Sequence, residues 1–199
     1  MIKVKPIENS RQLILVTAKG YETSQVKIQT FSRNPSGKWK RQLCIPGIIG
    51  KYGFAETGQM QEGGLKSPQG LFNISQAFGR WANPGTKLLY HLITPDDVWV
   101  DNVESPNYNT MQSLHLTGES SEKMYIPQYD YGFVINYNTV ERIPGKGSAI
   151  FFHIDDHCSD YTAGCTAVSR NEIVKILKWL DPGQNPIIIQ TVISRLKFY

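Results

Sequence analysis

Four side chains with reactive or metal-binding chemistry fall within thirteen positions of the chain. His153, His157, Cys158 and Cys165 lie in the stretch FFHIDDHCSDYTAGCTAVS, which covers residues 151–169. Imidazole and thiolate groups are common zinc ligands, and a thiol beside an imidazole can be a nucleophile beside its base. Two cysteines can also form a disulfide. The stretch therefore allows three kinds of chemistry, and each predicts a different protein.

The spacing fits a zinc site only in part. Three residues separate His153 from His157, as in many zinc sites, but six separate Cys158 from Cys165 and there is no second closely spaced cysteine pair. The third cysteine is Cys44, so at least one thiol stays outside any intramolecular disulfide. A Cys44–Cys158 disulfide stays open as an alternative. We predict no metal site, and a thiol left outside any disulfide is a candidate nucleophile.

Cys165 and His153 have the properties expected of a cysteine nucleophile and its general base. Cys165 follows Gly164, and a glycine lets the backbone approach a substrate closely. His153 ends a predicted strand, which would hold the imidazole rigidly beside the thiol. From spacing alone, the alternative that both residues are buried packing groups stays open. His157 and Cys158 lie in a polar, turn-rich segment that predicts a surface loop, and we expect structural or surface roles for the other two histidines.

Short apolar or alternating runs, separated by turn residues, predict a mostly β protein. Residues 25–33 alternate apolar and polar side chains, and NPSG at 34–37 predicts a hairpin with residues 38–45. Many short strands divided by turns favour a β-sandwich or β-barrel. The predicted strands are 11–18, 25–33, 38–45, 70–74, 86–93, 97–101, 131–138, 148–154 and 186–193.

One α-helix is well marked, in the C-terminal half of the chain. Ser169 and Glu172 have the spacing of a capping box, and DPG at 181–183 ends the helical pattern. Between them, apolar residues recur at helical spacing at positions 173, 176, 177 and 180. A second helix is considered around residues 104–113, where the pattern is less regular.

The composition is that of a globular protein. Of 199 residues, 40% are hydrophobic and 19% are charged, and no apolar run reaches the roughly 18 residues needed to span a bilayer. The net charge of +4 is spread without runs of like charge, which argues against a nucleic-acid partner. With no repeat or linker, we predict one domain over residues 1–199. The first residues lack a clean signal peptide, so we expect either a protein that is not exported or a chain that follows a removed signal.

Four blocks of the chain occur in a diagnostic order. They are EGGLKSPQGLFNISQAFG (62–79), YDYGFVINYN (129–138), GKGSAIFFHI (145–154) and TAGCTAVS (162–169). Together they resemble the L,D-transpeptidase catalytic-domain family, the cysteine enzymes of bacterial peptidoglycan, and the resemblance spans residues 12–193. The family signature is a strand-end histidine followed by a Ser/Thr-x-Gly-Cys turn. It matches His153, Thr162, Gly164 and Cys165.

Three positions depart from the family pattern. Ile154 stands where many members carry a small residue, Ala163 where many carry histidine, and Ala167 where many carry arginine or asparagine. The nucleophile, the base and the glycine are retained, so the reaction class is still expected. The departures keep open a non-catalytic peptidoglycan-binding module as an alternative.

The resemblance implies a mostly β domain, sandwich-like or barrel-like, that works without a metal or organic cofactor. Cys165 would form a thioester with a peptidoglycan tetrapeptide stem and release D-Ala, with His153 as base and the amides around Gly164 binding the oxyanion. An amine of another stem would then give a cross-link, and water would give L,D-carboxypeptidase activity instead. The resemblance also implies an extracytoplasmic location.

Substrate contacts are expected from three further residues. Thr162 belongs to the family signature, Tyr131 lies in a family-like block, and Tyr108 lies in a Pro/Asn-rich loop that could form a lid. For the two tyrosines, packing in the core is the alternative.

Overall fold

The computed structural model describes residues 5–118, 121–155 and 159–199. These residues form a mostly β fold, as predicted. In chain order its strands are β1 (Gln12–Ala18), β2 (Gln25–Arg33), β3 (Trp39–Ile48), β4 (Gly70–Gly79), β5 (Leu89–Leu92), β6 (Asp97–Trp99), β7 (Met111–Ser113), β8 (Glu122–Lys123), β9 (Gly132–Ile135), β10 (Phe151–Ile154), β11 (Thr166–Val168) and β12 (Ile187–Val192). The α-helices are α1 (Lys5–Asn9), α2 (Leu114–Thr117) and α3 (Arg170–Trp179), and 3-10 turns occur at Pro127–Tyr129, Pro182–Gln184 and Ile193–Phe198.

The main sheet closes into a barrel. Its strand order is β12-β1-β2-β3-β11-β10-β9-β4, and β4 pairs with β12 to complete the ring, while β5 extends the sheet from β4. Within the ring, β1 pairs with β12 in parallel and β10 pairs with β11 in parallel. All other adjacent strands of the ring are antiparallel. Closure gives each ring strand a partner on both sides, which removes exposed edges. The predicted barrel-like class is therefore confirmed.

A second sheet of three short strands lies against the barrel. Its order is β7-β6-β8, and both pairings are antiparallel. Trp99 of β6 packs against Phe151 of β10, with ring centroids 4.9 Å apart and planes at 81°. This edge-to-face contact joins the small sheet to a strand of the barrel.

The strand β10 is buried on both faces. Phe152 and Ile154 belong to the main core, together with the buried side of α3. Phe151, on the alternate face, belongs to a second apolar cluster that includes Trp99 and Cys165. Burial on both faces explains why the sequence of β10 is an apolar run rather than an alternating one. The other side chain on the Phe151 face is that of His153.

The predicted C-terminal-half helix is present as α3. All four residues of the predicted apolar stripe are buried in the main core, three of them within α3 and the fourth, Leu180, directly after it. Ser169 precedes the first helical residue, in the N-cap position. Its hydroxyl donates to the Glu172 carboxylate at 2.9 Å and caps no backbone amide. Ser169 therefore occupies the predicted N-cap position, but the hydrogen bond from a backbone amide to its hydroxyl, which a capping box requires, is not formed.

All nine predicted strands overlap observed strands, and three short strands, β7, β8 and β11, were not predicted. The helix considered around 104–113 is wrong, because those residues form turns and the strand β7. Strands of two or three residues carry too few side chains to show a period. Within the described residues, no helix is both long and apolar enough to cross a bilayer.

One buried carboxylate joins three parts of the fold. Asp130, just before β9, accepts hydrogen bonds from Arg80 Nε at 2.5 Å and from Arg170 Nη2 at 2.6 Å. Arg80 follows β4, and Arg170 is the first residue of α3. Burial pushes the pKa of Asp130 upward, but the hydrogen bonds from the two arginines outweigh it and leave the pKa below its ordinary value. Its charged form therefore stabilises the fold, and this contribution is lost as the pH falls through that lowered pKa.

We expect Asp130→Asn to lower the free energy of unfolding by about 2 kcal/mol at pH 7, because the partly exposed Arg80 and Arg170 guanidinium groups lose the buried charged acceptor that they share. Urea unfolding at pH 7 and at successively lower pH measures the effect, which should shrink as wild-type Asp130 becomes protonated. Asp181→Asn is the matched control, since the Lys87–Asp181 pair is at the surface and its loss should cost much less. Equal losses in the two variants would contradict the prediction.

Candidate active site

The parallel pairing of β10 with β11 places His153 and Cys165 on the same face of the sheet. In this register His153 is opposite Ala167, and Cys165 lies two residues before Ala167. Side chains two positions apart on an extended chain point to the same side. Both side chains line one cleft of about 430 Å³, although each is largely buried.

The Cys165 thiol is held by two backbone groups. Its Sγ accepts from the Phe151 N–H at 3.3 Å, and the thiol donates to the Ala149 carbonyl oxygen at 3.2 Å. Burial raises the pKa of the Cys165 thiol, and the nearby Glu122 carboxylate raises it further, while the Phe151 amide acts in the opposite direction. The thiol is therefore neutral at rest, and a base must remove its proton before it can act as a nucleophile.

His153 has one ring nitrogen held and the other free to accept a proton. Its Nδ1 lies 2.8 Å from the carbonyl oxygen of the next residue, Ile154. A carbonyl oxygen only accepts, so Nδ1 carries the hydrogen and Nε2 keeps its lone pair. Burial lowers the pKa of His153, against the smaller opposing effects of the Ile154 carbonyl and Asp155. The ring is therefore neutral near pH 7, which is the protonation state of a general base.

No hydrogen bond joins His153 to Cys165 within the described part of the chain. The thiol hydrogen points to the Ala149 carbonyl instead. Transfer of this proton to His153 requires rotation about the Cβ–Sγ bond, and resting sites commonly have loose catalytic contacts.

The turn before Cys165 is built by Thr162 and Gly164. Thr162 Oγ1 accepts from the Gly164 N–H at 3.1 Å and donates to the Cys165 carbonyl oxygen at 2.6 Å. A Cβ atom on Gly164 would lie 3.0 Å from the Lys66 carbonyl oxygen, so the close approach requires a glycine. The Gly164 amide already has an acceptor at rest. To bind an oxyanion, as predicted, the Gly164 amide would first have to break its hydrogen bond to Thr162. The Cys165 amide could bind an oxyanion without breaking that hydrogen bond.

Ser67 fixes the same turn from the opposite side. It is fully buried, and its hydroxyl donates to the Gly164 carbonyl oxygen at 2.6 Å and accepts from the Gly50 N–H at 2.9 Å. Ser67 lies in the family-like block 62–79, where its sequence neighbours indicate no role for it. Its partner Gly164 is 97 positions away, so no local pattern indicates the contact.

Ala149, whose carbonyl accepts the thiol hydrogen, has a left-handed backbone conformation with φ of 52°. A non-glycine residue adopts this conformation only when neighbouring contacts hold it there. The Asn109 side-chain oxygen accepts from the Ala149 N–H at 3.1 Å and from the Trp99 indole at 2.9 Å. Asn109 and its neighbour Tyr108 are buried, so this part of the loop packs into the protein. That the loop forms a lid stays a prediction.

The cleft is negatively charged, although the whole chain carries a net charge of +4. Glu62, Asp101, Glu122 and Asp155 line it, and its described lining residues include no lysine or arginine. Burial raises the pKa of Glu122 to about 7 against the hydrogen bond from Tyr129, and the neighbouring carboxylates Asp101 and Glu62 add to the increase. The cleft therefore favours cationic ligand groups over anionic ones.

The three residues predicted to contact substrate have different positions. Thr162 lines the cleft, where its hydroxyl is used by the turn. Tyr131 packs against the main core, and the Tyr108 hydroxyl donates to the Glu62 carboxylate. Neither tyrosine is among the described residues that line the cleft. Substrate contact by these residues stays a prediction.

The remaining histidines and cysteines of the chain have different outcomes. His157 and Cys158 lie outside the described residues, and so does the alternative Cys44–Cys158 pairing. Cys44 is exposed on β3 as a free thiol. His91 has a structural partner, with its Nε2 lying 3.1 Å from the Asp97 carboxylate. Within the part of the chain that the structure describes, no group of three or more His, Cys, Asp or Glu residues is arranged to hold a metal.

Comparison with known proteins gave one match. A family profile described as the L,D-transpeptidase catalytic domain matches residues 34–189, a segment that includes His153, Thr162, Gly164 and Cys165. No curated protein and no solved structure matches the chain.

We expect Glu122→Gln to increase the alkylation rate of Cys165 by iodoacetamide at pH 8 by about 3- to 10-fold, because removal of a neighbouring negative charge lowers the pKa of the thiol. The rate is measured on the peptide that contains Cys165, since exposed Cys44 also reacts. Asp101→Asn is the matched control, because Asp101 lines the cleft and acts on Glu122 rather than directly on Cys165. An unchanged alkylation rate in Glu122→Gln would show that the Glu122 charge does not raise the pKa of the Cys165 thiol.

Proposed function

The chain belongs to the L,D-transpeptidase catalytic-domain family, and on this basis we propose that it is a cysteine acyltransferase acting on peptidoglycan stem peptides. The main support is that Cys165 and His153 line the same cleft, where Nδ1 of the imidazole contacts the Ile154 carbonyl and Nε2 has no hydrogen-bond partner among the described residues. This arrangement gives a neutral thiol a neutral base on the same face of the sheet. Because members of the family generally work outside the cytoplasm, we also propose an extracytoplasmic location.

The first half-reaction forms a thioester. Nε2 of His153 takes the proton of the Cys165 thiol while Sγ attacks the carbonyl carbon of the peptide bond that precedes the terminal D-Ala. The carbonyl oxygen becomes an oxyanion, for which the Cys165 amide is the candidate donor. The C–N bond then breaks, and the D-Ala nitrogen leaves with the proton that His153 holds.

The second half-reaction resolves the thioester. The amine of another stem attacks the thioester carbon and gives its proton to His153. The C–S bond breaks, the new amide is the cross-link, and Sγ regains a proton from His153. Water in place of the amine gives a free carboxylate and makes the protein an L,D-carboxypeptidase. The chemistry of the first half-reaction is the same for both.

The charge of the cleft supports a substrate that carries an ammonium group. Peptidoglycan stems contain a diamino acid, whose side-chain amine is cationic at neutral pH until it reacts. Glu62, Asp101 and Glu122 line the cleft beside Cys165. Their negative potential favours the approach of such an amine. Ala163 and Ala167, where many family members carry polar or cationic side chains, supply no competing positive charge.

Incubation with a purified disaccharide tetrapeptide, with and without an acceptor stem, tests the proposal by mass spectrometry. We expect release of D-Ala and, with the acceptor, a cross-linked dimer. Cys165→Ala should abolish both products, and His153→Ala should lower kcat by about 10²- to 10⁴-fold because the general base is lost. Cys44→Ala, which removes an exposed thiol on β3, should behave as wild type.

The other outcomes separate the alternatives. D-Ala release without a dimer would assign a carboxypeptidase and overturn acyl transfer to an amine. Binding to isolated peptidoglycan without turnover, and with the same affinity in Cys165→Ala, would assign a non-catalytic module. Intact mass after incubation with a carbapenem identifies the nucleophile, and an adduct that persists in Cys165→Ala would exclude Cys165.

A further inference from the structure

The side chain that packs on the ring of His153 is Tyr129. It ends the 3-10 turn at Pro127–Tyr129, and its exposed fraction is 4%. Its ring meets the His153 imidazole edge to face, with centroids 5.3 Å apart and planes at 76°. The same ring packs against Phe151, whose backbone amide donates to the Cys165 sulfur. Tyr129 therefore contacts the base directly and reaches the nucleophile through one intervening residue, Phe151.

The hydroxyl of Tyr129 is fixed from the small sheet. It donates to the Glu122 carboxylate, and Glu122 is the first residue of β8. Burial raises the pKa of Tyr129, as does the negative charge of Glu122, so the phenol keeps its proton and remains a donor. One end of the Tyr129 side chain is thus bound to the small sheet, and its ring is placed against β10 of the barrel.

The His153 ring needs such a contact. The hydrogen bond from Nδ1 to the Ile154 carbonyl holds one ring atom, but a single bond leaves the ring plane free to tilt about it. The direction of the Nε2 lone pair depends on that plane. An aromatic edge packed on the imidazole restricts the tilt, because other ring angles would lose the contact or overlap with Tyr129.

We propose that Tyr129 is a positioning residue that fixes the ring plane of His153, and that Glu122 anchors Tyr129 for this task. This inference rests on the proposed function, because it assigns to Tyr129 the orientation of His153, the general base of the proposed reaction. Tyr129 is not itself a catalytic residue. Tyr129 is among the residues that line the cleft, but its hydroxyl is committed to Glu122 and its exposed fraction is only 4%.

Ring spectroscopy tests the proposal without any substrate. In protein labelled with ¹⁵N at histidine, His153 is assigned by its loss in His153→Gln and observed above its pKa. Wild type should show a neutral ring with the hydrogen on Nδ1. Tyr129→Leu should give a mixture of the two neutral tautomers, because a tilted ring breaks the bond to the Ile154 carbonyl. Tyr129→Phe keeps the ring contact and should keep the Nδ1–H form.

Phe78→Leu is the matched control for Tyr129→Leu. Phe78 lies in the same apolar cluster and packs on both Phe151 and Tyr129, but it has no ring contact with His153. It should therefore lose core packing to a similar extent and keep the Nδ1–H form. If the tautomers mix equally in both variants, the effect is general loosening of the cluster and the positioning role is overturned.

Turnover of a stem tetrapeptide gives the second readout. We expect Tyr129→Leu to lower kcat by about 10- to 100-fold with KM within about 2-fold, because a misdirected base slows chemistry and not binding. Tyr129→Phe should fall between this variant and wild type, by about 3-fold in kcat. Tyr137→Phe, which removes a hydroxyl bound to the Lys146 carbonyl outside the cleft, should leave kcat unchanged.

The remaining outcomes each support or overturn the positioning role of Tyr129. Retention of a pure Nδ1–H ring in folded Tyr129→Leu overturns the proposal. If that variant does not fold, Tyr129→Phe decides: a kcat equal to that of Tyr137→Phe overturns the anchoring by Glu122, and a selective loss supports it. If wild type shows no turnover, the proposed function fails, while the spectra still report whether Tyr129 sets the His153 ring.

Discussion

The parallel pairing of β10 with β11 is the constraint on which the candidate site depends. It fixes the register of His153 against Ala167, so that Cys165, two residues earlier, emerges on the histidine's side of the sheet. Three sets of contacts hold this pair of short strands in place. The main core packs beneath β10 through Phe152, the second cluster packs above it through Phe151, and Ser67 holds the turn that leads into β11. A one-residue slip would send the thiol and the imidazole to opposite faces.

The burial that orders the site also keeps its thiol and its imidazole uncharged at rest. Removal from water raises the pKa of the Cys165 thiol and lowers that of His153, so both groups are neutral at rest. Such a pair stores no thiolate that oxidants or stray electrophiles could consume. In the proposed reaction, the thiol and the imidazole would become charged only after a substrate has bound in the cleft, where the carboxylates are already present. Specificity then depends on the cleft's electrostatics as much as on the nucleophile.

Much of the fold and the central pair of residues could be predicted from sequence, for identifiable reasons. Strands such as β2 alternate over nine residues, and α3 has a full apolar stripe, so local patterns suffice. Cys165 and His153 stand in motifs with distinctive neighbours. Glu122, Tyr129, Ser67 and Asn109 have no such signal, because their roles arise from contacts between separate elements. The three-residue strand β11 was missed for a related reason: its pairing with β10 is long-range, and TAV alone has no period.

Barrel closure has a consequence for how the protein is made. The strand β12 lies between β1 and β4, so the ring is completed by a segment synthesised after all its other strands. The residues that pair between β1 and β12 are separated by nearly the whole chain. Contacts of such large sequence separation form slowly. Until this pairing forms, β10 and β11 lack a finished core behind them, and the thiol and the imidazole have no fixed register. A chain in which β12 has not yet joined the ring therefore lacks the register that brings Cys165 and His153 to one cleft.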